Sequence, residues 1–254
     1  MIVLVTGASA GFGAEISRIF VKHGHKVIAT ARRAERLNDL SEELGASLLP
    51  VTLDVRDSEA VMQLPGKLPD EFSKVEVLVN NAGLALGLEP AHQAKLDDWQ
   101  TMIDTNCKGL VQMTRAFLPE MVKQNRGHVF NISSTAGTWP YFGANVYGST
   151  KAFVRQFSLN LRADLAGTAV RVSDIEPGMC GGTEFSNVRF HGNDAKATSV
   201  YTDVQPLTAK DIAETIYWIA TRPTHVNINT IELMPVAQSF GGLRVSRGRF
   251  PERT

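Results

Sequence analysis

Ile2-Val3-Leu4-Val5-Thr6-Gly7-Ala8-Ser9-Ala10-Gly11-Phe12-Gly13 runs from an apolar stretch through a glycine-punctuated turn into a helix-like segment over residues 14–23. Strand, turn and helix in that order is the context a dinucleotide-binding loop requires. Glycines at 7, 11 and 13 lack Cβ atoms, so the backbone can turn tightly and let a pyrophosphate approach the free amides at a helix N-terminus. A glycine triplet alone is also compatible with a plain turn, so the reading depends on the rest of the chain.

Further apolar runs recur at residues 26–30, 48–53, 75–79, 128–132, 169–175 and 230–233, with longer amphipathic segments between most of them. Parallel neighbours need a crossover, usually a helix, and right-handed crossovers cover both faces of the sheet. The pattern predicts one α/β domain over residues 1–254, a doubly wound parallel sheet of about seven strands, with ligands at the carboxyl ends of the strands. Residues 178–207 read as one long irregular segment, a length that suggests a functional lid. Residues 244–254 are basic and rich in turn formers, which predicts a peripheral tail or one that crosses a subunit boundary. The apolar residues 231–236 are a candidate contribution to an interface.

Of the 254 residues, 43% are hydrophobic and 20% charged, enough apolar material for one large core. Twenty-six basic residues balance twenty-six acidic ones, so net charge gives no argument for nucleic acid or an anionic membrane as partner. Cys107 and Cys180 have no neighbouring ligands of a zinc site, which predicts free thiols, no metal and a reducing compartment. No run approaches the ~20 apolar residues of a spanning helix and the first strand starts at Ile2, so a cytoplasmic location is expected.

Past the second strand, where an NAD site would place an acid for the ribose hydroxyls, the chain reads Ala31-Arg32-Arg33. Absence of an acid removes repulsion toward a 2′-phosphate, and guanidinium groups bind phosphate bidentately, so NADP is predicted over NAD. Asp54-Val55 ends the third strand, where a carboxylate can accept from an adenine amino group. Asn80-Asn81-Ala82-Gly83 ends the fourth, with residues small enough to let backbone near a ribose. Either segment could by itself be a turn.

Tyr147-Gly148-Ser149-Thr150-Lys151 supplies acid-base chemistry. Four residues apart on a helix, the two outer side chains share a face. Free tyrosine has a pKa of about 10, so Tyr147 needs a nearby cation to act as a base near neutrality, and Lys151 can supply one. Tyr147 would then take a carbinol proton as hydride leaves, or return it in reduction. Ser134 and its competitor Ser133 end the fifth strand, where a hydroxyl could bond a developing alkoxide.

The Thr-Gly-x-x-x-Gly-x-Gly loop, Asn80-Asn81-Ala82-Gly83, Ser134, Tyr147-x-x-x-Lys151 and Pro177-Gly178 together resemble the short-chain dehydrogenase/reductase family over nearly the whole chain. More narrowly, residues 83–87, 134–137, 181–190 and 225–229 resemble its NADP-dependent 3-hydroxy acid dehydrogenases. The resemblance implies a Rossmann fold and a homotetramer. It selects Ser134 over Ser133 and gives Asn106 the place of the asparagine that kinks a helix and positions a water in the proton relay. It has Lys151 hold the nicotinamide ribose and Thr183 bond the carboxamide. Its narrower group oxidises L-allo-threonine and serine and reduces malonic semialdehyde.

An acid substrate needs a carboxylate anchor, and Arg189 is the candidate, with cofactor phosphate or solvent as its other possible neighbours. His191 reads as a surface histidine and Cys180 as a small side chain near the pocket. Two other functions compete: NADP-dependent reduction of a bulkier neutral carbonyl, since substrate loops vary freely, and a non-catalytic NADP sensor. The full Asn106, Ser134, Tyr147 and Lys151 set argues against the sensor.

Overall fold

The computed structural model describes residues 1–241. In chain order its main elements are β1 (Ile2–Thr6), α1 (Gly11–Lys22), β2 (Lys26–Ala31), α2 (Ala34–Leu44), β3 (Leu48–Thr52), α3 (Ser58–Lys67), β4 (Val77–Asn80), α4 (Leu96–Ile103), α5 (Leu110–Lys123) and β5 (Gly127–Ile132). There follow α6 (Asn145–Asp164), β6 (Val170–Pro177), α7 (Phe185–Arg189), α8 (Asp194–Ser199), α9 (Ala209–Ala220) and β7 (Thr230–Leu233). The strands form one parallel seven-stranded sheet in the order β3-β2-β1-β4-β5-β6-β7.

Residues along β1 alternate between two cores. Val3 and Val5 pack with Ile16 and Phe20 of α1 and Ile212 and Ile216 of α9. Leu4 packs on the other face with Met113 and Phe117 of α5 and Val129 of β5. Burial on both faces explains why the inner strands read as unbroken apolar runs rather than as an alternation. Local signals fix several helix starts. Asp57 caps α3 by accepting from the Glu59 and Ala60 amides, and Thr208 with Asp211 forms a reciprocal capping box on α9.

The Rossmann arrangement and its seven strands agree with the sequence reading. Two details differ. β4 begins at Val77, two residues into the apolar run 75–79, while Val75 is buried in the core ahead of it. The segment 178–207 is not irregular: it carries α7 and α8, each too short to show a helical period in sequence. The predicted tail, 244–254, lies outside the described residues.

Phe130 of β5, an inner strand of the sheet, is fully buried. Phe130→Ala should cost about 3–5 kcal/mol. In urea titration this appears as a lowered midpoint at unchanged slope.

Candidate active site

The chain order of the strands reverses between β1 and β4, and a cleft of about 380 Å³ opens at their carboxyl ends. Gly7, Ser9, Ala10, Gly11, Phe12, Arg32, Arg33, Asp54, Val55, Asn81, Ala82 and Gly83 line one part of it. Ser134, Tyr147, Lys151, Pro177, Gly178 and Thr183 line the rest. Gly7 and Gly11 turn the loop with φ of +67° and +54°. Gly13 serves packing instead: a Cβ there would stand 2.4 Å from the Gly7 carbonyl oxygen and 2.8 Å from Asn81 Nδ2. Asn81 Nδ2 itself donates to the carbonyls of Thr6 (2.8 Å) and Gly7 (3.2 Å). The result is a backbone cradle with its amides exposed at the start of α1, which fits a dinucleotide pyrophosphate.

At the outer end of this cradle Arg33 donates from Nε and Nη2 to Ser9 Oγ (3.3 and 3.0 Å). Its Nη2 also pairs with Glu184 at 2.7 Å. Asp54 lines the cleft as expected, but Nε and Nη2 of Arg56 engage its carboxylate and hold it below the usual carboxylate range.

Tyr147 and Lys151 lie on the buried face of α6. Gly137, in the turn after β5, makes that possible, because a Cβ there would stand 2.7 Å from the Lys151 carbonyl carbon. Lys151 Nζ donates to the Ile132 carbonyl (2.8 Å) and stands 5.9 Å from the Tyr147 ring centroid. Burial lowers the Lys151 ammonium to about 8, with Asp174 and Cys107 opposing the fall. Burial pushes the Tyr147 phenol above its ordinary value; a hydrogen bond with Ser134 and the charge of Arg189 oppose that rise. Arg189 is thus a second cation beside the phenol, in addition to the Lys151 of the sequence reading.

Ser134 Oγ accepts from the Ala136 amide (3.1 Å) and donates to the Pro177 carbonyl (3.3 Å). Ser133 is buried, and its hydroxyl turns to the Ile175 carbonyl (3.2 Å). Asn106 sits in a π-type turn, Asp104–Gly109, that joins α4 to α5. Its Oδ1 accepts from the Leu84 amide (2.9 Å), and its Nδ2 donates to the Leu84 carbonyl (2.9 Å) and Thr150 Oγ1 (3.0 Å). The side chain therefore ties the loop after β4 to the helix bearing Tyr147 and is not among the residues that line the cleft.

Arg189 lies against the Tyr147 ring, although it is not among the residues that line the cleft. Its guanidinium carbon is 5.3 Å from the Tyr147 ring centroid, with Tyr141 and Phe185 at 5.5 and 6.0 Å. Nε donates to the Gly87 carbonyl (3.3 Å) and Nη2 to Tyr141 Oη (2.6 Å). Among the described residues no carboxylate pairs with it. Phe185 meets Tyr147 edge-on at 5.8 Å. His191 is exposed and bonds Asp98 (3.1 Å). Cys180 lines the cleft, where burial pushes its thiol up to about 12, so it is neutral. Sequence reading gave no role to Tyr141, Thr150 and Glu184; the last two lie inside quoted stretches, but their partners at the site come from distant parts of the chain.

A family model for short chain dehydrogenases matches residues 1–194. The chain is 65% identical, over 247 residues covering 97% of it and 100% of the relative, to the NADP-dependent 3-hydroxy acid dehydrogenase YdfG of Salmonella typhi. It is 55% identical over 245 residues to the serine 3-dehydrogenase of Agrobacterium fabrum, covering 96% of this chain and 98% of that one. In structure it is similar to the closed form of serine dehydrogenase complexed with NADP+, with a TM-score of 0.97, 63% identity and coverage of 98% and 100%.

Burial of Lys151 makes a stability prediction. Its folded value of about 8 lies below the ~10.4 of an unfolded lysine, so unfolding takes up a proton between them and stability rises with pH across that interval. Below about pH 8 both states hold the proton and the native state bears the whole cost of a buried cation. Lys151→Met should stabilise the protein at pH 7 by on the order of 2–3 kcal/mol, read as a higher thermal midpoint. Its advantage over the parent should shrink as unfolding is measured from pH 8 toward pH 10.

Proposed function

The chain belongs to the short chain dehydrogenase family, and from that premise we propose that it interconverts short 3-hydroxy acids and their 3-oxo products as an NADP-dependent oxidoreductase. The observation that carries the acid specificity is Arg189, a guanidinium free of carboxylate partners among the described residues and set against the face of Tyr147. A carboxylate is its natural complement, and two charge-assisted bonds would fix the acid end of the substrate. L-allo-threonine, serine and 3-hydroxypropionate share the short acid with a hydroxyl at the third carbon. A bulky neutral ketone would leave the guanidinium unmatched.

NADP supplies the hydride acceptor or donor. The backbone of Gly7 to Gly13 would hold its pyrophosphate, Arg32, Arg33 and Ser9 its 2′-phosphate, and Val55, Asn81, Ala82 and Gly83 its adenosine side. Lys151, Pro177, Gly178 and Thr183 would hold the nicotinamide side. Ser134 Oγ, which already contacts Tyr147, bonds the substrate oxygen and holds it for proton transfer. Tyr147 takes the carbinol proton in oxidation and returns it in reduction. Lys151, cationic below about pH 8, stabilises the phenolate so formed. Asn106 acts by position, locking the loop at Leu84 to α6 and, on the family's pattern, placing a water behind Lys151. A cytoplasmic homotetramer belongs to the same proposal, and family resemblance supports it.

Nicotinamide absorbance tests the function directly, with NADP and NAD offered separately alongside the three acids and a neutral secondary alcohol. NADP-dependent turnover of the acids is expected, falling at least ~10²-fold in Tyr147→Phe. Turnover of the neutral alcohol alone would discard the acid assignment. Arg189→Ala should lower kcat/KM for an acid by ~10–100-fold and leave its methyl ester nearly unchanged. Equal losses on acid and ester would remove Arg189 from the carboxylate.

A further inference from the structure

No acid stands directly after β2, where the chain reads Arg32-Arg33, yet the fold brings one to that corner from across the cleft. Glu184 precedes α7, and its carboxylate pairs with Nη2 of Arg33 at 2.7 Å. The same guanidinium donates to Ser9 Oγ, and Ser9, Arg32, Arg33 and Glu184 line one cleft. Arg33 holds the Glu184 carboxyl below the usual carboxylate range, with Arg36 adding to the effect. The carboxylate is therefore an anion at neutral pH, on the group that would read a 2′-phosphate.

We propose that Glu184 is an internal stand-in for the 2′-phosphate: it neutralises Arg33 until a dinucleotide binds, is displaced when the phosphate arrives, and so sets how strongly the protein prefers the phosphorylated dinucleotide. This rests on the reading of Arg32 and Arg33 as the phosphate site. Both partners of the pair are nearly half exposed, at 46% and 47%, so water screens them and the pair is easily broken. A phosphate brings nearly two charges and three acceptor oxygens, and it outcompetes one carboxylate for a guanidinium. The displaced carboxylate stays close to the phosphate and repels it, so Glu184 offsets part of the phosphate's binding. NAD has a hydroxyl there, offers Arg33 no charge, and leaves the pair intact. Because Glu184 precedes Phe185, which meets Tyr147 edge-on, displacement acts at the head of the segment that carries Phe185 and Arg189.

The test needs no turnover. Calorimetry measures binding of 2′,5′-ADP and of 5′-AMP to the parent protein, to Glu184→Gln, and to Arg33→Ala with and without Glu184→Gln. Glutamine keeps the shape of the side chain and one acceptor oxygen and removes its charge. The expected result is roughly three- to tenfold tighter 2′,5′-ADP binding in Glu184→Gln, unchanged 5′-AMP binding, and no gain in the Arg33→Ala background. The gain should fall as salt is raised. Unchanged or weaker 2′,5′-ADP binding in Glu184→Gln, or equal gains for both nucleotides, would overturn the proposal. If the parent bound the two nucleotides equally, the phosphate site itself would be wrong. A parent that prefers 2′,5′-ADP with no response to Glu184→Gln would overturn the role of Glu184 alone.

Discussion

Thr6 ends β1 with a hydroxyl that accepts from the amides of Asn81 (3.0 Å) and Ala82 (2.9 Å) and donates to the Val79 carbonyl (3.3 Å). This small bridge holds together the ends of β1 and β4, the pair between which the chain's direction of travel across the sheet reverses. Connections leave these two strands toward opposite sides, so the backbone beyond them must part and a crevice is unavoidable there. With the strand ends pinned by Thr6, the glycine loop and Asn81-Ala82-Gly83 become facing walls. Asn81 spans them through its side-chain amide, and Gly13 lets α1 seat against both. The cradle is thus a product of the sheet's topology and of one missing Cβ, before any ligand is considered.

The reacting end is built on a different balance of forces. Tyr147 and Lys151 are buried at the cleft's inner wall, and burial disfavours the charged form of each, raising the phenol and lowering the ammonium. The fold tolerates this because α6 is fixed by contacts that do not depend on either charge. Gly137 allows the backbone turn after β5 to pack directly on the helix, and the Asn106–Thr150–Tyr147 chain ties it to the loop at Leu84. Burial also moves the two pKa values in opposite directions from their ordinary positions, and the side chain that gains or loses a proton then depends on neighbouring charge. Acid-base groups are commonly placed in such surroundings.

The legible part of this design was the part with local period or fixed spacing. Strands buried on both faces show as apolar runs, the glycine loop shows because positive φ selects glycine at 7 and 11, and Tyr147 with Lys151 shows because four residues make one helical turn. Family spacing chose Ser134 over Ser133; in the fold both hydroxyls donate to carbonyls of β6, Ser133 to Ile175 and Ser134 to Pro177. α7 and α8 were illegible because five and six residues hold too few turns to display a face. Glu184 and Tyr141 were illegible for a deeper reason. Arg33 and Glu184 are brought together by the long crossovers of the sheet, as are Tyr141 and Arg189, and no local pattern encodes a contact across a cleft.

Arg189 shows how such a contact changes the chemistry that the motif suggests. The motif gives Tyr147 one cation, four residues away. In the folded chain a second cation lies against the ring of Tyr147 and favours its phenolate, while Lys151 Nζ is turned to the Ile132 carbonyl. On the proposed reading the two cations divide the work in sequence. A substrate carboxylate neutralises Arg189, which removes that guanidinium's support for the phenolate, and Lys151 is then the remaining nearby cation on α6. A neutral substrate would leave Arg189 with only the Gly87 carbonyl and the Tyr141 hydroxyl as hydrogen-bond partners among the described residues. On the proposed reading an acid would be favoured because it complements a charge the fold has already placed beside Tyr147.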